Sequence, residues 1–154
     1  MITIAVVNSK GGVGKTTLTS ALAIRATQDK GSPRVCMVDL DPQKSLIDWW
    51  RRRGTRYDDG LTVFEGVDSA AEAVERAELA GYDYCFLDGP PAFLRTLQEM
   101  VQVADFVLIP VKPSVADMLA TEDAVILTRD AGAEFLIVFN DVLDRDERIA
   151  DKAR

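Results

Sequence analysis

The sequence predicts an α/β fold, a mostly parallel twisted sheet with helices on both faces in three layers, and three observations point to it. Nearly continuous apolar runs recur at Ile2–Asn8, Arg34–Asp39, Tyr84–Asp88, Phe106–Val111 and Phe135–Asn140. Strands buried on both faces read this way, whereas a half-exposed strand alternates. Stretches with helical spacing lie between the runs, as parallel strands require of their crossovers. The first run also breaks into a glycine-rich turn, Gly11-Gly-Val-Gly14, and a helical pattern resumes at once.

Taken in order, the first strand, Ile2–Asn8, is rich in β-branched residues, and the helix after the turn covers Lys15–Asp29 and is closed by Gly31. The strand Arg34–Asp39 leads to a helix over Ser45–Arg53 that Gly54 closes, then to a short edge strand at Leu61–Glu65. A capping box, Ser69-Ala-Ala-Glu72, opens a helix over Ser69–Ala80, and Gly81 ends it. Beyond the strand Tyr84–Asp88, a helix at Leu94–Val103 precedes the strand Phe106–Val111. Ile109-Pro-Val-Lys-Pro-Ser114 turns sharply into a helix at Asp117–Asp130, the strand Phe135–Asn140 follows, and a last helix begins at Asp144. With no repeats or low-complexity segments, the 154 residues predict one domain, 1–154, with a sizeable core.

Composition removes several function classes. The chain has no histidine, which excludes Ser-His-Asp and Cys-His nucleophile systems and most zinc sites. Cys36 and Cys85 fall inside buried strands and read as small apolar core residues of a reduced compartment. A net charge of −7 argues against a surface built throughout for nucleic acid, and leaves one local basic patch, Arg51-Arg-Arg53 with Arg56. No apolar run reaches membrane-spanning length and Met1 leads directly into a strand, so a cytoplasmic protein without a membrane partner is expected.

Strand, glycine-rich turn and helix together make a phosphate cradle. A polyphosphate concentrates negative charge and asks for many backbone N–H donors in a small volume, which residues without a Cβ permit. The run Gly11, Gly12, Val13, Gly14, Lys15, Thr16, Thr17 is therefore the expected binding loop. The helix start supplies a positive dipole end, Lys15 can reach the terminal phosphates, and the Thr16 hydroxyl is placed for Mg²⁺. A plain glycine turn with an exposed lysine would need none of this context. A dinucleotide fingerprint with Asp39 on the ribose fits poorly, because Thr17 stands where a third glycine or alanine belongs and Lys15 has no role there.

Ligands of open α/β sheets lie outside the carboxyl ends of the strands, where Asp39, Asp41 and Asp88 are expected to converge on the loop. Asp88 closes the apolar strand Tyr84-Cys-Phe-Leu-Asp88, a Walker B pattern whose carboxylate can hold a water of the Mg²⁺ shell. Leu46, Trp49 and Trp50 share one face of their helix, for packing in the core or in a dimer. The arginines that follow either solvate the helix end or bind a phosphate backbone.

Ser9 stands where the ordinary P-loop pattern has glycine, and an extra lysine follows it. The run Lys10-Gly-Gly-Val-Gly-Lys15-Thr-Thr resembles the deviant Walker A motif of the ParA/MinD ATPases, closest to ParA-type partition ATPases. The resemblance extends over nearly the whole chain and implies a P-loop NTPase fold with ATP/ADP and Mg²⁺ as ligands. It implies that Lys10 reaches across a dimer interface to the partner's nucleotide, that Asp41 orients the attacking water, and that Asp39 lies near the metal shell with Thr16 and Asp88. Lys10, Lys15 and Asp41 are thus the expected catalytic set. Asn140 is a candidate contact to the adenine or a plain turn asparagine, and the proline-rich turn at 109–114 contributes to a dimer surface or is only a turn.

The activity implied is ATP hydrolysis by a nucleotide-sandwich homodimer. It would drive partition of a plasmid or chromosome locus, or positioning of another cargo, with a ParB-like partner and possible non-specific DNA contact near the nucleoid. A binding switch with little turnover and a MinD-like positioner are the alternatives, and a nitrogenase iron-protein role is excluded because neither cysteine sits on an exposed loop. Relatives continue beyond the equivalent of Arg154 with helices carrying DNA-binding surface, so this domain is expected to lack them.

Overall fold

The structure is a computed structural model and describes residues 1–54, 60–91 and 94–141. Six strands, β1 (Ile2–Val6), β2 (Val35–Asp39), β3 (Leu61–Phe64), β4 (Tyr84–Asp88), β5 (Phe106–Val111) and β6 (Phe135–Phe139), form one sheet in the order β3-β2-β4-β1-β5-β6. Every pairing is parallel. The expected strands all form, and Leu61–Phe64 is an edge as its brevity suggested.

Side-chain alternation along the strands divides the interior into two cores. Ala5, Val7, Cys36, Val38, Cys85, Leu87, Val107 and Ile109 face one side, beneath α3 (Ala70–Leu79), α4 (Leu94–Val103) and α6 (Glu122–Asp130). Val35, Met37, Val63 and Phe86 face the other, beneath α1 (Lys15–Thr27) and α2 (Ser45–Arg53). Both cysteines are free and buried in the first core. Trp49 and Trp50 pack against the second core and stay half-buried there.

Helix ends follow local hydrogen bonding. Helix α1 stops at Thr27 instead of Asp29 because Gln28 and Asp29 donate to Arg25 and Ala26, three residues back, and tighten the last turn. Ser69 Oγ caps α3 by accepting from the Glu72 amide at 3.2 Å, and the Glu72 carboxylate accepts from the Asp68 amide. The single helix expected over 117–130 is two: α5 (Val115–Leu119), capped by Ser114, and α6, joined at Ala120 and Thr121. At the joint the Thr121 amide bonds to Met118, three residues back, and its hydroxyl donates to the Asp117 carbonyl. The helix expected from Asp144 and the patch residue Arg56 lie outside the described residues.

Candidate functional site

The turn from β1 into α1 is shaped by its glycines. Gly12 has φ +74° and Gly14, at the N-cap of α1, has φ +94°. At Gly14 glycine is required twice, since a Cβ there would lie 2.0 Å from Asn140 Nδ2 as well as in the left-handed region. The first bond of α1 runs from the Leu18 amide to the Gly14 carbonyl at 2.9 Å, so the amides of Lys15, Thr16 and Thr17 have no partner inside the helix. They open, with Gly11 and Gly12, on a cavity of about 300 Å³ whose far wall is Asp41, Ser45 and Pro91. N–H groups without helical acceptors around such a cavity suit an anion.

Two of the residues that line the cavity, Lys15 and Thr16, are tied to buried charge behind it. Thr16 Oγ1 donates to Asp88 Oδ2 at 2.7 Å and Thr19 Oγ1 to Asp88 Oδ1 at 3.3 Å. Burial pushes the Asp88 carboxyl up to about 7; its neighbour Asp39 adds to the rise, and the Thr16 hydroxyl and Lys15 oppose it. Lys15, 7% exposed, is held below the usual lysine range by burial, against the pull of Asp88 and Asp41, and its Nζ donates to the Lys10 carbonyl at 2.9 Å. A hydroxyl, a buried carboxylate and a lysine at the mouth of an N–H cradle fit a magnesium–phosphate pair, because Mg²⁺ keeps several waters and shares phosphate oxygens.

The other expected residues fall into place unevenly. Asp41 lines the cavity, and its Oδ1 accepts from the Gln43 amide at 2.9 Å. Asp39 is buried and has work elsewhere: Oδ2 accepts from the amides of Leu46 at 2.9 Å and Ile47 at 3.1 Å, and Oδ1 from Asp41 at 3.0 Å. It therefore caps α2 and holds the loop carrying Asp41, and burial raises its carboxyl while these amides oppose the rise. Thr17 is exposed and lines the cavity, whereas the Val13 side chain is buried and its carbonyl accepts from Asn140 Nδ2 at 2.9 Å. Asn140 thus ties the end of β6 to the loop. The Lys10 ammonium lies on Asp117 of its own chain, and this pairing with Ser114 beside it holds the Asp117 carboxyl below the usual range.

Residue-by-residue reading missed Asn8, which directly precedes the loop, and Ser45, Pro91, Asp117 and Thr121, which reach it through tertiary contacts. For Asn8 a signal existed: a polar amide closing a buried strand needs partners. The basic patch sits at the opposite end of α2 from Ser45 and is partly engaged within the chain. Arg51 pairs with Glu65 at 2.8 Å and the Arg53 guanidinium lies 5.3 Å from the Trp50 ring centroid.

Comparison with known proteins places this architecture. The described fold resembles apo McdA from Cyanothece, with a TM-score of 0.77 at 19% identity over 99% of this chain and 80% of that one. It equally resembles cobyrinic acid a,c-diamide synthase from Mycobacterium smegmatis with an ATP analogue and magnesium, with a TM-score of 0.76 at 19% identity, covering 99% and 81%. In sequence, the chain is 38% identical over 121 residues to maintenance of carboxysome distribution protein A of Gloeobacter kilaueensis, covering 75% of this chain and 51% of that protein. It is 30% identical over 155 residues to the chromosome-partitioning ATPase Soj of Thermus thermophilus, covering 79% and 61%. The chain thus spans between about half and three fifths of these two relatives. The pattern of the CobQ/CobB/MinD/ParA nucleotide binding domain runs through residues 4–129, from β1 into α6, and the chain belongs to that family.

Proposed function

We propose that this domain binds Mg-ATP on the Gly11–Thr17 loop and hydrolyses it, as the nucleotide-binding part of an ATPase that positions a cellular cargo. The observation that carries this reading is the contact between Thr16 Oγ1 and the buried Asp88 carboxylate beneath a glycine loop with Lys15 at its edge. In this reading Lys15 and the amides of the loop hold the phosphates, and Thr16 and Asp88 hold the magnesium shell. The metal supplies charge neutralisation to the phosphates when bound. Asp41, opposite the loop, orients the water, and Asp39 acts through the position of Asp41. Phosphoryl transfer to water depends on positioning and charge more than on a strong base, so a carboxylate in that place is sufficient.

Relatives named for carboxysome distribution and for chromosome partitioning support a positioning role. Dimerisation on ATP, with Lys10 meeting the partner's nucleotide, requires the ammonium to leave Asp117. A ParB-like stimulating partner belongs to the same reading. So does weak DNA contact through Arg51–Arg53, which should weaken steeply with salt. Among the described residues no helix is long and apolar enough to cross a membrane. Phosphate release by the purified chain, compared with Lys15→Ala and Asp41→Ala, tests the assignment: both variants should fall to background, and wild-type rates in both would refute it.

One observation favours a second reading, a nucleotide-dependent switch with little turnover: the Lys10 ammonium is already satisfied by Asp117. Light scattering with and without ATP, run beside the phosphate assay, separates the two. Binding without dimerisation or turnover selects the switch.

A further inference from the structure

Lys10 is held at both ends by a closed ring of contacts that the proposed ATPase reading leaves without a role. Asn8, fully buried two residues beyond β1, accepts the Lys10 amide on Oδ1 at 2.8 Å. Its Nδ2 donates to the Pro110 carbonyl at 2.9 Å and to Thr121 Oγ1 at 3.2 Å. Thr121, itself buried, donates onward to the Asp117 carbonyl at 2.8 Å, and the Asp117 carboxylate holds the Lys10 ammonium. From the amide of Lys10 the contacts run through Asn8, Thr121 and Asp117 and return to the same residue's side chain.

We propose that Asn8, acting with Thr121, is a positioning residue for the phosphate site: it fixes the main chain of Lys10, on whose carbonyl the Lys15 ammonium rests at 2.9 Å. This rests on the nucleotide-hydrolysing reading above. A buried amide whose oxygen and nitrogen both have partners is locked in one orientation, since flipping it would leave donors facing donors. The break between α5 and α6 belongs to the same device, because it turns the Thr121 hydroxyl toward Asn8 and the Ala120 carbonyl toward Ser9, whose Oγ donates to it at 3.0 Å. Two of the links, Lys10 amide to Asn8 and Asn8 to Thr121, do not involve the Asp117 carboxylate. The lysine side chain can therefore leave Asp117 while its backbone stays in place. Displacement of a phosphate-site group by roughly 1 Å is enough to cost about 100-fold in rate.

The test uses the full chain with Asn8→Ala, Thr121→Val, which keeps shape but removes the hydroxyl, and Thr121→Ser, which restores it. Hydrogen exchange of the Lys10 amide in the nucleotide-free chain should quicken at least about 10-fold in Asn8→Ala and Thr121→Val and stay near wild type in Thr121→Ser. In steady-state assays kcat should fall at least about 10-fold in the first two, with KM and the Mg-ADP dissociation constant within about threefold, and Thr121→Ser should retain activity. Folded Asn8→Ala with wild-type exchange, or a raised KM with unchanged kcat, overturns the proposal. If Asn8→Ala does not fold, the Thr121→Val and Thr121→Ser pair decides by the same readouts. A wild-type chain that binds nucleotide without hydrolysing it defeats the ATPase reading alone, and the exchange measurement then decides the role of Asn8.

Discussion

Asp88 is a carboxylate that the folded chain would rather keep protonated. Its folded value, pushed up to about 7 by burial, stands above the unfolded value near about 4, so the unfolded chain releases its proton first as pH rises. Stability is therefore greatest below pH of about 4 for this group and declines until about 7, by on the order of 3–4 kcal/mol at most, with Asp39 acting in the same direction. Urea unfolding of the metal-free and nucleotide-free chain should give lower stability at pH 8 than at pH 5, and Asp88→Asn should flatten that slope and gain about 2 kcal/mol or more at pH 8. No slope in wild type would show that Asp88 ionises without penalty. At Gly14 a methyl group meets both a left-handed φ of +94° and Asn140 Nδ2, so Gly14→Ala should lose nucleotide binding in calorimetry and about 1–2 kcal/mol of stability. That Gly14, Lys15 and Thr16 stand together on the turn was legible because they are neighbours in sequence. The resting place of the Lys10 ammonium was not, because Asp117 lies more than a hundred residues away and only the packing of β5 against β1 brings it near.

At the scale of elements, two caps with different duties can be told apart. Ser69 caps α3 at the surface, so Ser69→Ala should cost about 1 kcal/mol in chemical denaturation and leave nucleotide affinity unchanged. Asp39 caps α2 from inside and also accepts from Asp41, so Asp39→Ala should cost at least about 2 kcal/mol and lower phosphate release through misplacement of Asp41. Equal affinity and turnover in Asp39→Ala would separate the cap from the site. Periodicity gave α2 the face that carries Leu46, Trp49 and Trp50, and the Ser69 signature was read correctly at the N-terminus of α3. Periodicity ran α5 and α6 together because Asp117 to Asp130 keeps helical spacing across Thr121, whose hydroxyl is recruited by Asn8, far away in sequence.

At the scale of the molecule, strand order explains why three acids and one loop meet. Strand β4 lies between β2 and β1, which puts Asp39 opposite Asp88 in register and Asp88 opposite Val6, just before the loop. Parallel strands on both sides of a topological switch point open a crevice at their carboxyl ends, and the cavity lies there. The parallel class followed from apolar runs alternating with helices, whereas the insertion of β4 between β2 and β1 rests on pairings between segments far apart in sequence. Isothermal calorimetry of the purified chain with Mg-ADP, beside Lys15→Ala, tests the central claim most directly. One saturable site in wild type, weakened at least about tenfold in Lys15→Ala, is the result expected from a lysine at the phosphate cradle. Absence of binding heat at several temperatures in wild type, or equal affinity in the variant, would contradict the account.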